Sequence, residues 1–182
     1  MKEIDIAAIT KMLSANPYIE NVNFVHFSNK KLVVDYNLKN IILHVYTTNG
    51  DQYFVDEKGA LVPYTSKMTD YVAIANGNIR QHYKAGDTAR KELRQIVNIF
   101  KEINKDEFCR QQFRQAYLNE RNQVELVSTL GNQVILFGTD ENIEEKLDNL
   151  KKVYEEGLTR KGFDTYAQLD VRFKNRVIAQ RK

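Results

Sequence analysis

At 182 residues and 42% hydrophobic content, the chain suits one ordinary domain, or one domain with a smaller partner, and is apolar enough to bury a core. No stretch approaches the roughly 18 continuous apolar residues of a membrane span, and the longest candidate, Ile41–Tyr46, is broken by His44. A single cysteine, Cys109, excludes an internal disulfide, and a net charge of +3 without a broad basic stripe argues against a nucleic-acid footprint.

Asp5 is placed to cap a helix in which Ile6, Ile9 and Leu13 recur at helical spacing, and Asn16-Pro17 stops it. Two strand-like runs follow, 19–27 and 32–38, joined by the polar turn Ser28-Asn29-Lys30-Lys31, with Leu32, Val34, Tyr36 and Leu38 on one face. A third run, 41–47, leads through Asn49-Gly50 into Tyr53-Phe54-Val55. Asp56-Glu57-Lys58-Gly59 then turns into Ala60-Leu61-Val62 before Pro63. Asn76-Gly77-Asn78 marks a loop, and Asp87 or Thr88 is expected to cap a longer helix with the stripe Ala89, Leu93, Ile96, Val97, Phe100 and Ile103. A short helical turn fits 106–112. Three antiparallel strands fit 113–120, 124–129 and 133–137, with tight turns at Arg121-Asn122 and Gly131-Asn132. Thr139 or Asp140 is expected to cap a last helix carrying Ile143, Leu147, Leu150 and Tyr154, which Gly157 ends. The pattern predicts an α+β fold, mostly antiparallel with two longer helices, and a boundary near residues 39 to 48.

At the C-terminus, Leu169, Val171 and Phe173 alternate with Asp170, Arg172 and Lys174, the period of a strand with one face on a core and the other in water. This closing strand is expected to be a sheet edge whose unpaired N–H and C=O groups another chain can use. Residues 160–182 carry seven Lys/Arg against two Asp/Glu, while residues 1–159 carry twenty against twenty-two. Basicity therefore sits beside the expected edge and suits an acidic partner.

Candidate chemistry is sparse. His26, His44 and His82 fall on separate elements without metal-ligand spacing, and the plainer reading puts His26 and His44 on polar strand faces. Cys109 has Arg110 beside it but no histidine near in sequence, so it reads as a semi-buried helix cysteine rather than a nucleophile. Glu141, Glu144, Glu145 and Asp148 read as a solvated helix face, and Asp56-Glu57-Lys58-Gly59 as a turn rather than a calcium or phosphate loop. No catalytic residue, cofactor or metal site is assigned.

Three segments, in this order and spacing, give the chain its resemblance to a known family. They are Asn16-Pro17-Tyr18-Ile19-Glu20-Asn21-Val22 with Leu32-Val33-Val34-Asp35-Tyr36, then Tyr53-Phe54-Val55-Asp56-Glu57-Lys58-Gly59 with Pro63, then Leu169-Asp170-Val171-Arg172-Phe173. Together they resemble the extracytoplasmic region of the bacterial cell-division family FtsQ/DivIB. The first looks like the last helix and two strands of a POTRA module, the second like the entry into the family's β domain, and the third like its closing Asp-Leu-Arg-Tyr strand with Val171 for Leu and Phe173 for Tyr. The resemblance implies a partial POTRA-like module over 1–40 and an FtsQ-type β domain over 41–182. The first strand and helix of that module, the cytoplasmic tail and the membrane anchor are absent, so the chain is expected to be a soluble fragment beginning inside the module. After Phe173 the sequence departs from the glycine-rich aromatic ending of some members.

The resemblance further implies a non-enzymatic, single-pass inner-membrane protein whose periplasmic domains act as a divisome scaffold in septation. A segment of the FtsB/DivIC-like partner that comes with FtsL adds as a strand beside the closing strand, the β-augmentation mode of recognition. Carried over, Arg172 is a charge partner for an acidic residue and Phe173 an apolar anchor, with Asn175, Val177 and Ile178 alongside. The plainer reading stays open, in which Phe173 is core and Arg172 pairs with Asp170. The alternative function is a POTRA-containing chaperone or secretion component that receives client polypeptides. Tandem POTRA units or a following transmembrane barrel would favour it.

Overall fold

The computed structural model describes residues 5–29, 31–68 and 72–182. They form two units, Met1–Ile41 and Ile42–Lys182. In the first, α1 (Ile6–Ser14) starts where the Asp5 carboxylate accepts the Ala8 N–H at 2.9 Å, as the spacing predicts. Past its end, Asn16 Oδ1 accepts the Tyr18 N–H at 3.0 Å. Strands β1 (Ile19–Ser28) and β2 (Lys31–Leu38) pair antiparallel and turn through Asn29 at φ 51°. Lys30 of the expected turn lies outside the described residues. The face carrying Leu32, Val34, Tyr36 and Leu38 is paired with Phe27, Val25, Val22 and Ile19, and among these only Ile19 is buried.

The second unit is built on one mixed sheet. Its strands are β3 (Ile41–Tyr46), β4 (Gln52–Asp56), β5 (Leu61–Pro63), β6 (Ala73–Gly77), β7 (Phe113–Leu118), β8 (Val124–Ser128), β9 (Val134–Gly138), β10 (Tyr166–Asp170) and β11 (Ile178–Arg181). Among the described residues they run in the order β11-β10-β9-β8-β7-β6-β3-β4-β5. The α+β class holds. The pairs β4–β5, β7–β8, β8–β9 and β10–β11 are antiparallel, and β3–β6, β6–β7 and β9–β10 are parallel.

Parallel neighbours need crossover connections, and here two of those connections supply the helices. The β6–β7 link carries α2 (Lys91–Ile103) and α3 (Glu107–Gln112). The β9–β10 link carries α4 (Ile143–Lys152), a π-helical turn (Val153–Leu158) and α5 (Thr159–Lys161). The expected stripe of α2 is buried: Leu93, Ile96, Val97, Phe100 and Ile103 pack with Ala116, Leu118, Leu126, Ile135, Phe137, Leu169 and Val171 in one apolar cluster. On the other parity of the same strands, Gln115, Tyr117, Glu125, Val127, Val134 and Leu136 are half-buried or exposed. One face of these strands is therefore core and the other is open.

Several expectations change. The loop at 76–78 is the end of strand β6, which lies between β3 and β7 and takes its pairing from them rather than from its own sequence. Neither Asp87 nor Thr88 caps α2. Asp87 O accepts the Leu61 N–H at 2.9 Å, Thr88 bridges Ala60, and Arg90, whose N–H goes to Gln81 Oε1 at 2.8 Å, stands at the cap position. At α4 the cap is Asn142 at φ 51°, because Asp140 accepts from Asn98 Nδ2 and the Thr139 carbonyl accepts from Lys146 Nζ. Gly157 does not end the helix, which continues through the π-helical turn to Gly162. A further change, at the closing strand, concerns the candidate site.

Gly77 closes β6 at φ 97°, and a Cβ there would lie 2.3 Å from the Leu118 carbonyl oxygen. Gly77→Ala is therefore expected to cost more than about 1 kcal/mol, the steric penalty of the left-handed region plus that clash. Urea unfolding should show a lower midpoint with an unchanged slope.

Candidate docking edge

The closing strand ends earlier than its alternation suggests, and it is not the edge. β10 stops at Asp170 and is paired on both sides, parallel to β9 and antiparallel to β11. Leu169 and Val171 are core, as the alternation requires. The edge is β11, paired as Tyr166↔Arg181, Gln168↔Gln180, Leu169↔Ala179 and Asp170↔Ile178. All its residues are exposed. The opposite edge, β5, is short, has Leu61 and Val62 buried, and contains Pro63, which has no N–H to offer.

What breaks the alternation is Asp170. Its carboxylate accepts from Arg172 three times: from the backbone N–H at 3.1 Å, Nε at 2.9 Å and Nη2 at 2.6 Å. A side chain that would continue the strand is thus turned back on it. Arg172 Nη1 also donates to Gln123 Oε1 at 3.3 Å, and its stem passes so close to Gly138 that a Cβ there would lie 3.0 Å from Arg172 Cγ. Arg172 also walls a groove of about 510 Å³ on the open face, beside Tyr117, Glu125 and Leu136.

The remaining expected residues form the connection to β11. Phe173 is 40% exposed and carries the Arg176 guanidinium 4.9 Å above its ring, so it is not core. Asn175 turns the chain at φ 59°, and its N–H donates to Glu145 Oε1 on α4 at 2.9 Å. Val177 packs against the core and Ile178 is 47% exposed. The structure thus brings Arg172, Phe173, Asn175, Val177 and Ile178 into one connection and the first residue of the edge. Sequence reasoning missed Glu145, Gln123 and Arg181. Only Arg181 left a sequence signal, in the basic excess of the tail.

The other candidate groups are held elsewhere. The Cys109 thiol is buried and pushed up to about 12, by burial first and then by the Asp106 charge, so thiolate is scarce at neutral pH. His26 is exposed on β1, as expected. His44 is not on a polar face: it is buried among Tyr46, Phe54 and Tyr64, 3.2 Å from Gln52 Oε1. Burial holds its pKa below the ordinary imidazole value despite that hydrogen bond. His82 Nδ1 lies 2.5 Å from Asp51 Oδ2. Glu141, Glu144 and Asp148 are exposed. Among the described residues no group of three His, Cys, Asp or Glu side chains comes together to hold a metal ion.

These features define an α+β domain whose distinguishing surface is an exposed edge strand, paired on one side only, at one end of a mixed sheet. The model of the family FtsQ/DivIB, C-terminal related, matches residues 41–180, and the chain belongs to that family of cell-division proteins. The match starts where β3 starts. No curated protein matches the chain.

Burial alone would raise the Asp170 pKa, but its hydrogen bonds to Arg172 and the attraction of that charge outweigh burial and hold it below the usual carboxylate range. A depressed folded-state pKa contributes stability that is present above the unfolded value, about 3.9, and is lost as pH falls through the folded one. Asp170→Asn is expected to cost about 1 kcal/mol at neutral pH, a modest figure because the Arg172 side chain is 35% exposed. The gap between wild type and variant, followed by urea unfolding across an acid series, should close below about pH 4.

Proposed function

We propose that this chain is an extracytoplasmic, non-enzymatic scaffold of the division machinery that binds the FtsB/FtsL-type subcomplex by strand addition at β11. Within this reading residues 1–40 are part of a POTRA-like module and 41–182 the β domain, and a membrane anchor belongs to the full-length protein. The observation that carries it is the contrast between the two sheet edges: β5 is short and contains proline, whereas β11 is exposed along its whole length. An extended partner segment would gain main-chain hydrogen bonds there, with Phe173, Val177 and Ile178 offering apolar contacts beside it. Asn175 holds the turn, and Arg172 presents what remains of its donor capacity next to the edge. No helix among the described residues is long and apolar enough to cross a membrane.

Calorimetric titration of the purified chain with the extracytoplasmic part of an FtsB-type protein tests this. Phe173→Ala and Ile178→Lys are each expected to weaken binding about tenfold while leaving the thermal midpoint close to wild type. Equal affinity for both variants and wild type would remove the edge from the interface.

A further inference from the structure

The side chains of β11 differ from face to face, and we infer that they read the sequence of the strand that adds to it. The reader on one face is Arg181, which takes an acidic residue, and on the other Ile178, which takes an apolar residue three positions further along an antiparallel partner. This rests on the strand-addition reading and adds the residues that choose the partner.

Register assigns the faces. Leu169, fully buried in the helix-covered core, pairs with Ala179, and Tyr166, packed against the same core, pairs with Arg181. The register shift between Tyr166 and Gln168 is what lets Tyr166 and Leu169 share that side. Ala179 and Arg181 therefore project on the helix-covered side, and Ile178 and Gln180, opposite Asp170 and Gln168, on the open side. A strand laid against β11 continues this alternation, so the residues facing Arg181 and Ile178 belong to its two different faces.

Charge and exposure say what those residues are. Residues 171–182 contain five Lys/Arg and no Asp/Glu. Arg172 is paired with Asp170 and Lys182 reaches Asp164 at 3.4 Å, whereas Arg181 forms no ion pair among the described residues. Directly opposed unlike charges on neighbouring strands stabilise the pair and like charges destabilise it, so Arg181 favours Asp or Glu and rejects Lys or Arg. Ile178 presents an exposed branched side chain, which favours a β-branched or aromatic neighbour across the ladder. Ala179 and Gln180 between them carry no charge, which leaves the selection to the two ends. The antiparallel sense follows from its slightly more stable pairing and fixes the order as acid first, apolar residue third after it.

The test uses the full chain and blocked threonine-rich decapeptides carrying one Glu three residues before an Ile, or one Lys in place of that Glu. The Glu peptide is expected to bind wild type about fivefold tighter than the Lys peptide, and Arg181→Glu to reverse that order, with the β11 amide resonances shifting in each case. An order unchanged by Arg181→Glu, or no binding of either peptide, overturns the pairing code. If in those cases the FtsB-type protein still shifts the β11 amides, strand addition itself stands. If that protein binds without shifting them, strand addition fails and the code with it.

Discussion

The part of the larger sheet formed by β7, β8 and β9 is covered by helices from one side, and much of its behaviour follows from that constraint. Helices α2, α3 and α4 arise inside connections between parallel strands, and their apolar side chains join a single cluster with one parity of β7, β8, β9 and β10. Strands β7, β8 and β9 must then alternate, because a shift by one residue would carry the apolar set to the open face. The same covering explains why Cys109 is chemically quiet: it faces into that cluster from α3. It also leaves the sheet two places to interact, its open face and its ends.

At the ends, the chain treats its two edges differently. One is closed by brevity, burial and a proline; the other is held in place by polar contacts from outside the ladder. Asp170 folds Arg172 back, Glu145 takes the Asn175 N–H, and Val177 returns the chain to the core before β11 begins. Upstream, the crossover that delivers β10 is fixed by a buried glutamine: Gln133 Oε1 accepts from Ser128 Oγ at 2.6 Å and from Tyr154 OH at 2.8 Å, and its amide donates to the Phe163 carbonyl. Buried polar groups satisfied this fully specify one arrangement. The edge is therefore presented by a rigid support, which lowers the ordering cost of adding a strand to it.

Much of this was legible in the sequence where local chemistry and tertiary demand agree. The Asn49-Gly50 turn, the α2 stripe, the Asp5 cap, the short helical turn at 106–112 and the strands from 113 to 138 all appear as local rules imply. Strand β6 was not legible, since Ala73-Ile74-Ala75-Asn76-Gly77 has weak strand propensity and is held by its neighbours. The caps at α2 and α4 failed because the best capping side chains were claimed by strand and helix partners distant in sequence. The edge was located one strand too early: alternation runs on through Val171 and Phe173, but a carboxylate two residues before its arginine is a local ion pair that a periodicity cannot display. The plainer reading of Arg172 was thus right about its partner, and that of Phe173 wrong about its burial.

β9 is an interior strand only because β10 lies against it. Its sequence, Val134-Ile135-Leu136-Phe137-Gly138, has no charge and no proline, and its outward parity is apolar as well. All the helices that cover the sheet precede Gly162. A chain cut in the segment after α5 would keep that cover and lose its last two strands, and what it would then display is an uncharged, apolar edge. Such edges pair with copies of themselves. Losing the C-terminal residues would therefore exchange an exposed, cationic edge for a self-associating one.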